Sequence, residues 1–399
     1  VLRITVDKLR PGMKLALPVA NPRTPSRTLL RGGYELDKEM IARLAELEVR
    51  QVWVGYPSLA FLRSFLSPEV LTSQGKMVKQ IAVTFQHMQK EATAKLDYDA
   101  YTRSIGDLVN QLVSNPKAAV FLGDLDHAVG GAELMRHSSA VTYLSVLMGL
   151  KLEGYLVKQR RHIDPGKAKE VVSLGLGAML HDIGITLLDP AVRKRHDETG
   201  DESDADWREH PWLGYQHVRG AIEPSAATVV LNHHQRYDGT GYAGQQAPQL
   251  AERSIHIFAR IAAAADAFDR LANPPNLPKQ PTVWALGALV NTDLRLHFDA
   301  NVLHALLAVT PPYAPGSIVK LNDERHAVVI DHNAHDPCRP MVQLLDAPPA
   351  KLGVEDVPLG PAIDLSEVNA RLAITEHEGV DVSELNFKPP QFNIEAALI

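Results

Sequence analysis

The sequence predicts a mainly α-helical protein, with a small α+β module at its N-terminal side and a small β-rich module at its C-terminal side. Three observations carry this expectation. Apolar residues recur at steps of three and four through most of residues 58–310. Short β-like stretches and Gly/Pro turns occupy residues 1–57, and the β texture returns after Pro311-Pro312. These shifts divide the chain into residues 1–57, a helical connector at 58–130 that would serve dimerisation, a helical domain at 131–311 and a β-rich module at 312–399.

In the first module, Leu2-Arg3-Ile4-Thr5-Val6 and Gln51-Val52-Trp53-Val54 read as strands, with turns at Pro11-Gly12 and Gly32-Gly33. The connector is read as helical from Leu59, Leu62, Phe65 and Leu66, then Met77, Ile81 and Phe85. In the last module, Ser317 to Leu321 and Ala327 to Ile330 read as strands around the turn Asn322-Asp323-Glu324-Arg325. No fixed-period repeat is present, which argues against a solenoid.

Composition excludes several classes of function. With 399 residues the chain exceeds one ordinary core, and 45% apolar and 22% charged residues are globular values. A formal net charge of −6 provides no basic field for long nucleic acid, but leaves small phosphorylated ligands open. Cys338 is the one cysteine, so any metal must take His and carboxylate ligands. Charged residues in the first ten positions leave no signal-peptide core, and no apolar run is read as membrane-spanning, so the expectation is a cytoplasmic protein with no membrane partner.

The candidate chemistry lies in residues 131–311. Glu133 and His137, four apart, share a helix face, which alone is more often a surface pair. The run from Lys167 to Leu180 has helical apolar steps and delivers His181 and Asp182 at its end, with Gly184 suited to the helix stop. An Asp beside a His on an apolar face costs several kcal/mol unless paired or metal-bound. Pro224 opens a further helix, whose stripe of Ala227, Val230 and Leu231 leads to His233 and His234. A helix expected over Leu250 to Leu271 carries Asp266 among alanines, with no charge partner evident in sequence. His210 before Pro211 does not by itself choose between a solvated helix start and a ligand.

His137-Ser138, His181-Asp182-Ile183-Gly184, His210-Pro211, and His233-His234 followed by Asp238-Gly239-Thr240-Gly241-Tyr242 resemble, in order and spacing, the HD-GYP phosphodiesterases of the HD-domain superfamily. The resemblance covers roughly residues 131–310. It implies an HD-type bundle of about seven helices, and hydrolysis of cyclic di-GMP to the linear dinucleotide or GMP through a metal-bridging hydroxide, with two or three iron or manganese ions. It further implies His137, His181, Asp182, His210, His233, His234 and Asp266 as ligands. Asp182 would bridge two ions, and Glu133 would serve a third. His181 and Asp182 would be catalytic; Arg193, Arg236, Asp238, Gly241 and Tyr242 are the candidates for substrate contact, and the Gly241-Tyr242-Ala243 loop for a protein partner. Metals about 3.5–4 Å apart suit phosphodiester hydrolysis, because they supply hydroxide at neutral pH and clamp phosphate oxygens. Ligand type alone does not choose among iron, manganese and zinc.

Departures from the family pattern bear on substrate rather than ligands. Ile185 stands where a lysine is usual, Ala243 replaces the proline of the namesake tripeptide, Gln235 follows the His pair in place of Glu, and Asn273-Pro274-Pro275-Asn276 replaces a basic segment. From sequence, and with competent metals, Ile185→Lys should raise cyclic di-GMP binding or hydrolysis about ten- to a hundredfold, provided the new side chain points into the cleft. The alternative is a protein that keeps its metals as a cyclic-dinucleotide sensor or protein-binding scaffold. A phosphohydrolase for another nucleotide fits the Asp-Gly-x-Gly-Tyr loop less well.

Overall fold

The computed structural model of the chain describes residues 1–21, 24–90, 96–122, 133–346, 358–367 and 371–391. The boundary expected at 130/131, the Gly131-Ala132 step and the last residues of the C-terminal module lie outside the described residues.

The first module contains β1 (Leu2–Thr5), β2 (Val19–Asn21), β3 (Thr24–Leu30), α1 (Lys38–Glu46) and β4 (Gln51–Val54). β1 and β4 pair antiparallel, with Leu2 opposite Val54 and Ile4 opposite Val52. Asp37 caps α1 by accepting from the Met40 N–H at 2.7 Å. Leu59, Leu62 and Phe65, read as helical from their spacing, do not form an α-helix. They lie in a kinked 3-10 stretch, Pro57–Phe65, and are buried in the core of this module.

α2 (Pro68–Lys90) and α3 (Tyr98–Ser114) follow. Their apolar faces, including Met77, Ile81, Phe85, Ile105 and Leu108, enter the same core as the helices that come after them. These two helices of the connector are therefore packed against the bundle.

The bundle proper comprises α4 (Glu133–Lys151), α5 (Glu153–Gln159), α6 (Pro165–Ala168), α7 (Val172–Leu180), α8 (Pro190–Thr199), α9 (His210–Val218), α10 (Pro224–Asn232), α11 (Ile257–Ala272), α12 (Thr282–Asn291) and α13 (Ala300–Val309). The described helices outnumber the seven expected because apolar periodicity runs on across breaks. The run expected from Lys167 splits into α6 and α7, and α11 begins only at Ile257 because His256 caps it. α4 is buried on nearly every side and packs on α7, α11 and α13, which marks it as the central helix. One apolar stretch, Pro165–Leu187, does have the length and composition to cross a membrane, contrary to the reading of the sequence. Most of it is buried inside the bundle, where it carries His181 and Asp182.

The C-terminal module holds β5 (Ile318–Leu321), β6 (His326–Asp331), β7 (Met341–Leu345), β8 (Leu359–Asp364), β9 (Ile374–His377) and β10 (Val380–Asp381). They form one antiparallel sheet in the order β10-β9-β5-β6-β7-β8. The two flanking modules are joined. Arg3 N–H donates to the Gly316 carbonyl at 2.9 Å, Arg3 bridges Ser317 in parallel, and Val328 and Leu345 enter the N-terminal core.

The cap of α11 carries a pH dependence. His256 Nδ1 accepts from the Phe258 N–H at 3.2 Å, so the ring must be neutral. Burial, with the nearby Arg160 and Arg260 charges, lowers its pKa to about 4. An unfolded chain takes up that proton near pH 6.5. Stability should therefore fall as pH drops from about 6.5 toward 4, by on the order of 2 kcal/mol from this group. His256→Asn keeps a capping oxygen without titrating; urea unfolding from pH 7 to 4 should show a shallower decline for the variant than for the natural chain.

Candidate metal centre

Six structural elements deliver the side chains to one point. His137 projects from α4. His181 ends α7, and Asp182 opens the 3-10 turn Ile183–Leu187. His210 starts α9, His233 and His234 follow α10, and Asp266 lies on α11. Gly184 allows this convergence, since a Cβ there would run into the carbonyl oxygen of His210 and the nitrogen of Gly214. The alanines beside Asp266 are buried where α11 meets α4 and α10.

The atoms able to ligate form two groups, Asp182 with His210, His233 and His234, and His137 with His181 and Asp266, each spanning no more than 4.8 Å. Asp182 faces both. Its Oδ1 lies 3.4 Å from Nε2 of His210 and of His233, while its Oδ2 lies 3.3 Å from His181 Nε2 and 3.7 Å from His137 Nε2. His181, Asp182 and His210 have 0% exposure, so water does not share the site's electrostatic load.

The other ring nitrogens fix the tautomers. Nδ1–H of His181, His210 and His233 donates to the backbone oxygens of Ala178, Trp207 and Val230 at 2.7, 2.8 and 2.9 Å. A carbonyl can only accept, so each Nε2 presents a lone pair to the interior. Nε2 of His210, His233 and His234 and Oδ1 of Asp182 are buried without a hydrogen-bond partner. Converging lone pairs in a dry interior are unfavourable by several kcal/mol unless a cation lies among them, and this donor set fits divalent metal.

His137 is held by residues that the sequence reading missed. Its Nδ1 donates to Asp269 Oδ2 at 2.7 Å, and Arg136 pins Asp269 Oδ1 at 3.0 Å with help from Asn273 at 2.9 Å. Asp269 thus orients the ring as a carboxylate behind a ligating imidazole does. Asp266 does have a charge partner. Arg270, four residues on, donates from Nε to Asp266 Oδ1 at 2.8 Å and reaches Asp182 Oδ2 at 3.2 Å. The i,i+4 spacing was the signal that could have found it. Burial opposes the charge on Asp266 and Asp182, yet Arg270 and His137 around Asp266, and the surrounding histidines around Asp182, hold both carboxyls well below the usual carboxylate range.

The remaining expected residues fall into different places. Glu133 is not brought in: as the first residue of α4 its side chain is exposed and belongs to neither group, so the structure gives no support to a third-metal role. Arg236 lines a cleft of about 210 Å³ together with His233, His234, Asp266, Arg270 and His297. Arg193 lies on α8 and Asp238 caps its own loop by accepting from Thr240, and neither lines that cleft. Gly241 is needed where a Cβ would strike the backbone of His234 and Arg236. Tyr242 stacks on His234 at 4.7 Å between ring centroids, under the Arg208 guanidinium. With Gly241 and Ala243 both buried, this loop faces inward and does not offer the partner surface expected of it. Gln235 is buried and clamps the loop, donating to Pro248 O at 2.9 Å and accepting from Leu250 N at 3.2 Å, a pairing that a carboxylate could not make.

Ile185 packs with Leu188, Val192 and Trp207 in a small apolar cluster. The gain expected of a lysine there requires a side chain that reaches the cleft, and Ile185 is not among the residues lining it. Ile185→Lys should destabilise the protein by about 2–4 kcal/mol through burial of an ammonium, and denaturant unfolding measures this. Asp182→Ala should lose most bound metal, because the one carboxylate facing both groups is removed; elemental analysis of variant and natural protein makes the comparison.

Buried imidazoles and carboxylates in this arrangement define a helical-bundle protein with a His/Asp centre suited to divalent metal. The HD domain family matches residues 159–302, which leaves His137 outside the matched segment although the fold brings it in. Cyclic di-GMP phosphodiesterase PA4108 of Pseudomonas aeruginosa is 25% identical over 352 residues, covering 81% of this chain and 80% of that protein. Cyclic di-GMP phosphodiesterase response regulator RpfG of Xanthomonas campestris pv. campestris is 33% identical over 143 residues, 35% of this chain and 36% of that one. A structure titled an HDG"Y"P protein from Bdellovibrio bacteriovorus aligns with TM-score 0.41 and 20% identity, over 76% of this chain and 97% of that one. Residues 159–302 of the chain thus match an HD domain, and the chain is similar to HD-GYP phosphodiesterases.

Proposed function

We propose that this chain is a metal-dependent phosphodiesterase that hydrolyses cyclic di-GMP to the linear dinucleotide or GMP. The observation that carries the reading is Asp182, whose two oxygens face two separate sets of tautomer-fixed histidines. The names of the relatives at 25% and 33% identity supply the substrate class.

His137, His181 and Asp266 would hold one ion, and His210, His233 and His234 another, with Asp182 shared. Iron or manganese suits this donor set. When bound, such ions lower the pKa of water and stabilise charge on a phosphodiester. The chain's own residues do the rest. The backbone acceptors behind His181, His210 and His233 keep the Nε2 lone pairs directed inward, and Asp269 does the same for His137. Arg236 and Arg270 line the cleft beside the centre, where their guanidiniums can bind phosphate oxygens in the role the resemblance gives to lysine. The stacked Tyr242 ring closes the His234 side against water.

The alternative, a metal-holding sensor or scaffold, is favoured by one observation: Ile185 lies in an apolar cluster and presents no cation. Turnover of cyclic di-GMP by anaerobically purified protein supplied with iron or manganese separates the two. The enzyme reading expects hydrolysis that Asp182→Ala lowers by at least about a thousandfold, in the range of losing a principal catalytic group. Metal-replete protein that binds cyclic di-GMP and leaves it intact would establish the sensor instead.

A further inference from the structure

A second cavity, of about 330 Å³, lies away from the His/Asp groups, where the N-terminal module, the bundle and the C-terminal sheet meet. Its size falls at the lower end of small-molecule sites. Arg3 of β1, Arg50 just before β4 and Lys279 ahead of α12 line it, facing Glu378 in the turn between β9 and β10. Arg3 lies 3.6 Å from the Glu378 carboxylate. Although burial works against its charge, that carboxyl is held below the usual carboxylate range by Arg3, His377, Lys279 and Arg50. Asp7 is the other acid in the lining, so three cations face two carboxylates.

Two buried donors point to a ligand rather than to a mere seam between modules. His377 lines the cavity with 8% exposure, and its Nε2 has no hydrogen-bond partner. Burial lowers its pKa to about 4, so the ring is neutral at physiological pH and available to donate a hydrogen bond. Thr5 Oγ1, also in the lining, is buried without a partner as well. A buried polar group left unpaired costs about 1–3 kcal/mol, which a ligand oxygen would recover. The lining also has an apolar part, with Phe121, Leu122, Pro281, Pro311 and Pro312.

We propose that this junction binds a small organic anion, its phosphate or carboxylate head among Arg3, Arg50, Lys279 and His377 and its flat apolar body against Phe121. The Phe121 ring meets Phe268 edge-on at 6.1 Å, and Phe268 lies on α11 between Asp266 and Asp269. The proposal does not depend on the catalytic reading.

Calorimetric titration of the full chain with phenyl phosphate, benzoate and inorganic phosphate tests it. Expected is saturable one-to-one binding of phenyl phosphate or benzoate with Kd below about 1 mM, and weaker binding of inorganic phosphate, which lacks the apolar body. The preferred probe tells a phosphate head from a carboxylate head. Lys279→Glu and, separately, the exposed Arg50→Glu should each weaken binding by about tenfold or more, while Asp182→Ala should leave it unchanged. With Arg50 at the surface, a folding failure of the Lys279 variant does not remove the test. Absence of saturable binding by every probe overturns the proposal, and so does binding that both charge reversals leave intact or that Asp182→Ala abolishes.

Discussion

A carboxylate ringed by imidazole lone pairs in a water-free interior is stable only with positive charge at its centre, and much of this fold serves to maintain that arrangement around Asp182. Each ligating face is fixed from behind. Ala178, Trp207 and Val230 lend main-chain oxygens to three rings, and Asp269, itself pinned by Arg136 and Asn273, steadies the fourth. The supporting atoms belong to helix ends and helix faces rather than mobile loops, so the centre is preorganised by the packing of the bundle.

That packing is close because small residues stand at the crossings. Gly184 lets the turn after α7 touch the start of α9, and alanines on α11 let it approach α4 and α10. Gln235 and Gly241 then fold the following loop back, so that Tyr242 lies on His234. The residues that depart from the family pattern are integrated into this packing. Gln235 makes a donor-and-acceptor clamp, Asn273 holds Asp269, and Ile185 fills an apolar niche under Trp207.

The residues that the structure gathers around Asp182 were legible in the sequence because their chemistry conflicts with their surroundings: His181-Asp182 ends an apolar run, and Asp266 interrupts alanines. The helical class and the β-rich tail were legible from periodicity. What escaped was whatever depends on which face meets which. Leu59, Leu62 and Phe65 carry a helical period, yet they serve the N-terminal core through a 3-10 stretch, because apolar spacing does not name the partner. Glu133 shares a helix face with His137 by spacing, but the first residue of a helix has solvent beside it. Asp269 and Arg270 were overlooked since an acid and a base near a helix end resemble ordinary surface charges, and burial becomes visible only once α4 lies across them. The surroundings of position 185 were hidden for a related reason: one-dimensional spacing from Gly184 does not reveal that the side chain packs with Leu188, Val192 and Trp207.

The seam between β1 and the segment before β5 also constrains how the molecule can be made. Arg3 bonds to Gly316 and bridges Ser317, about 300 residues later, and Val1, Leu2 and Ile4 share a core with Val328 and Leu345. At a ribosomal rate of about 5–20 residues per second, the opening strand waits roughly 15–60 s for these neighbours to emerge. During that interval its apolar face is incompletely covered, and the main-chain groups of Arg3 lack their eventual mates. The first module therefore completes its assembly only after Gly316 and Ser317 have been made, when β1 is drawn to a segment beyond an already helical middle.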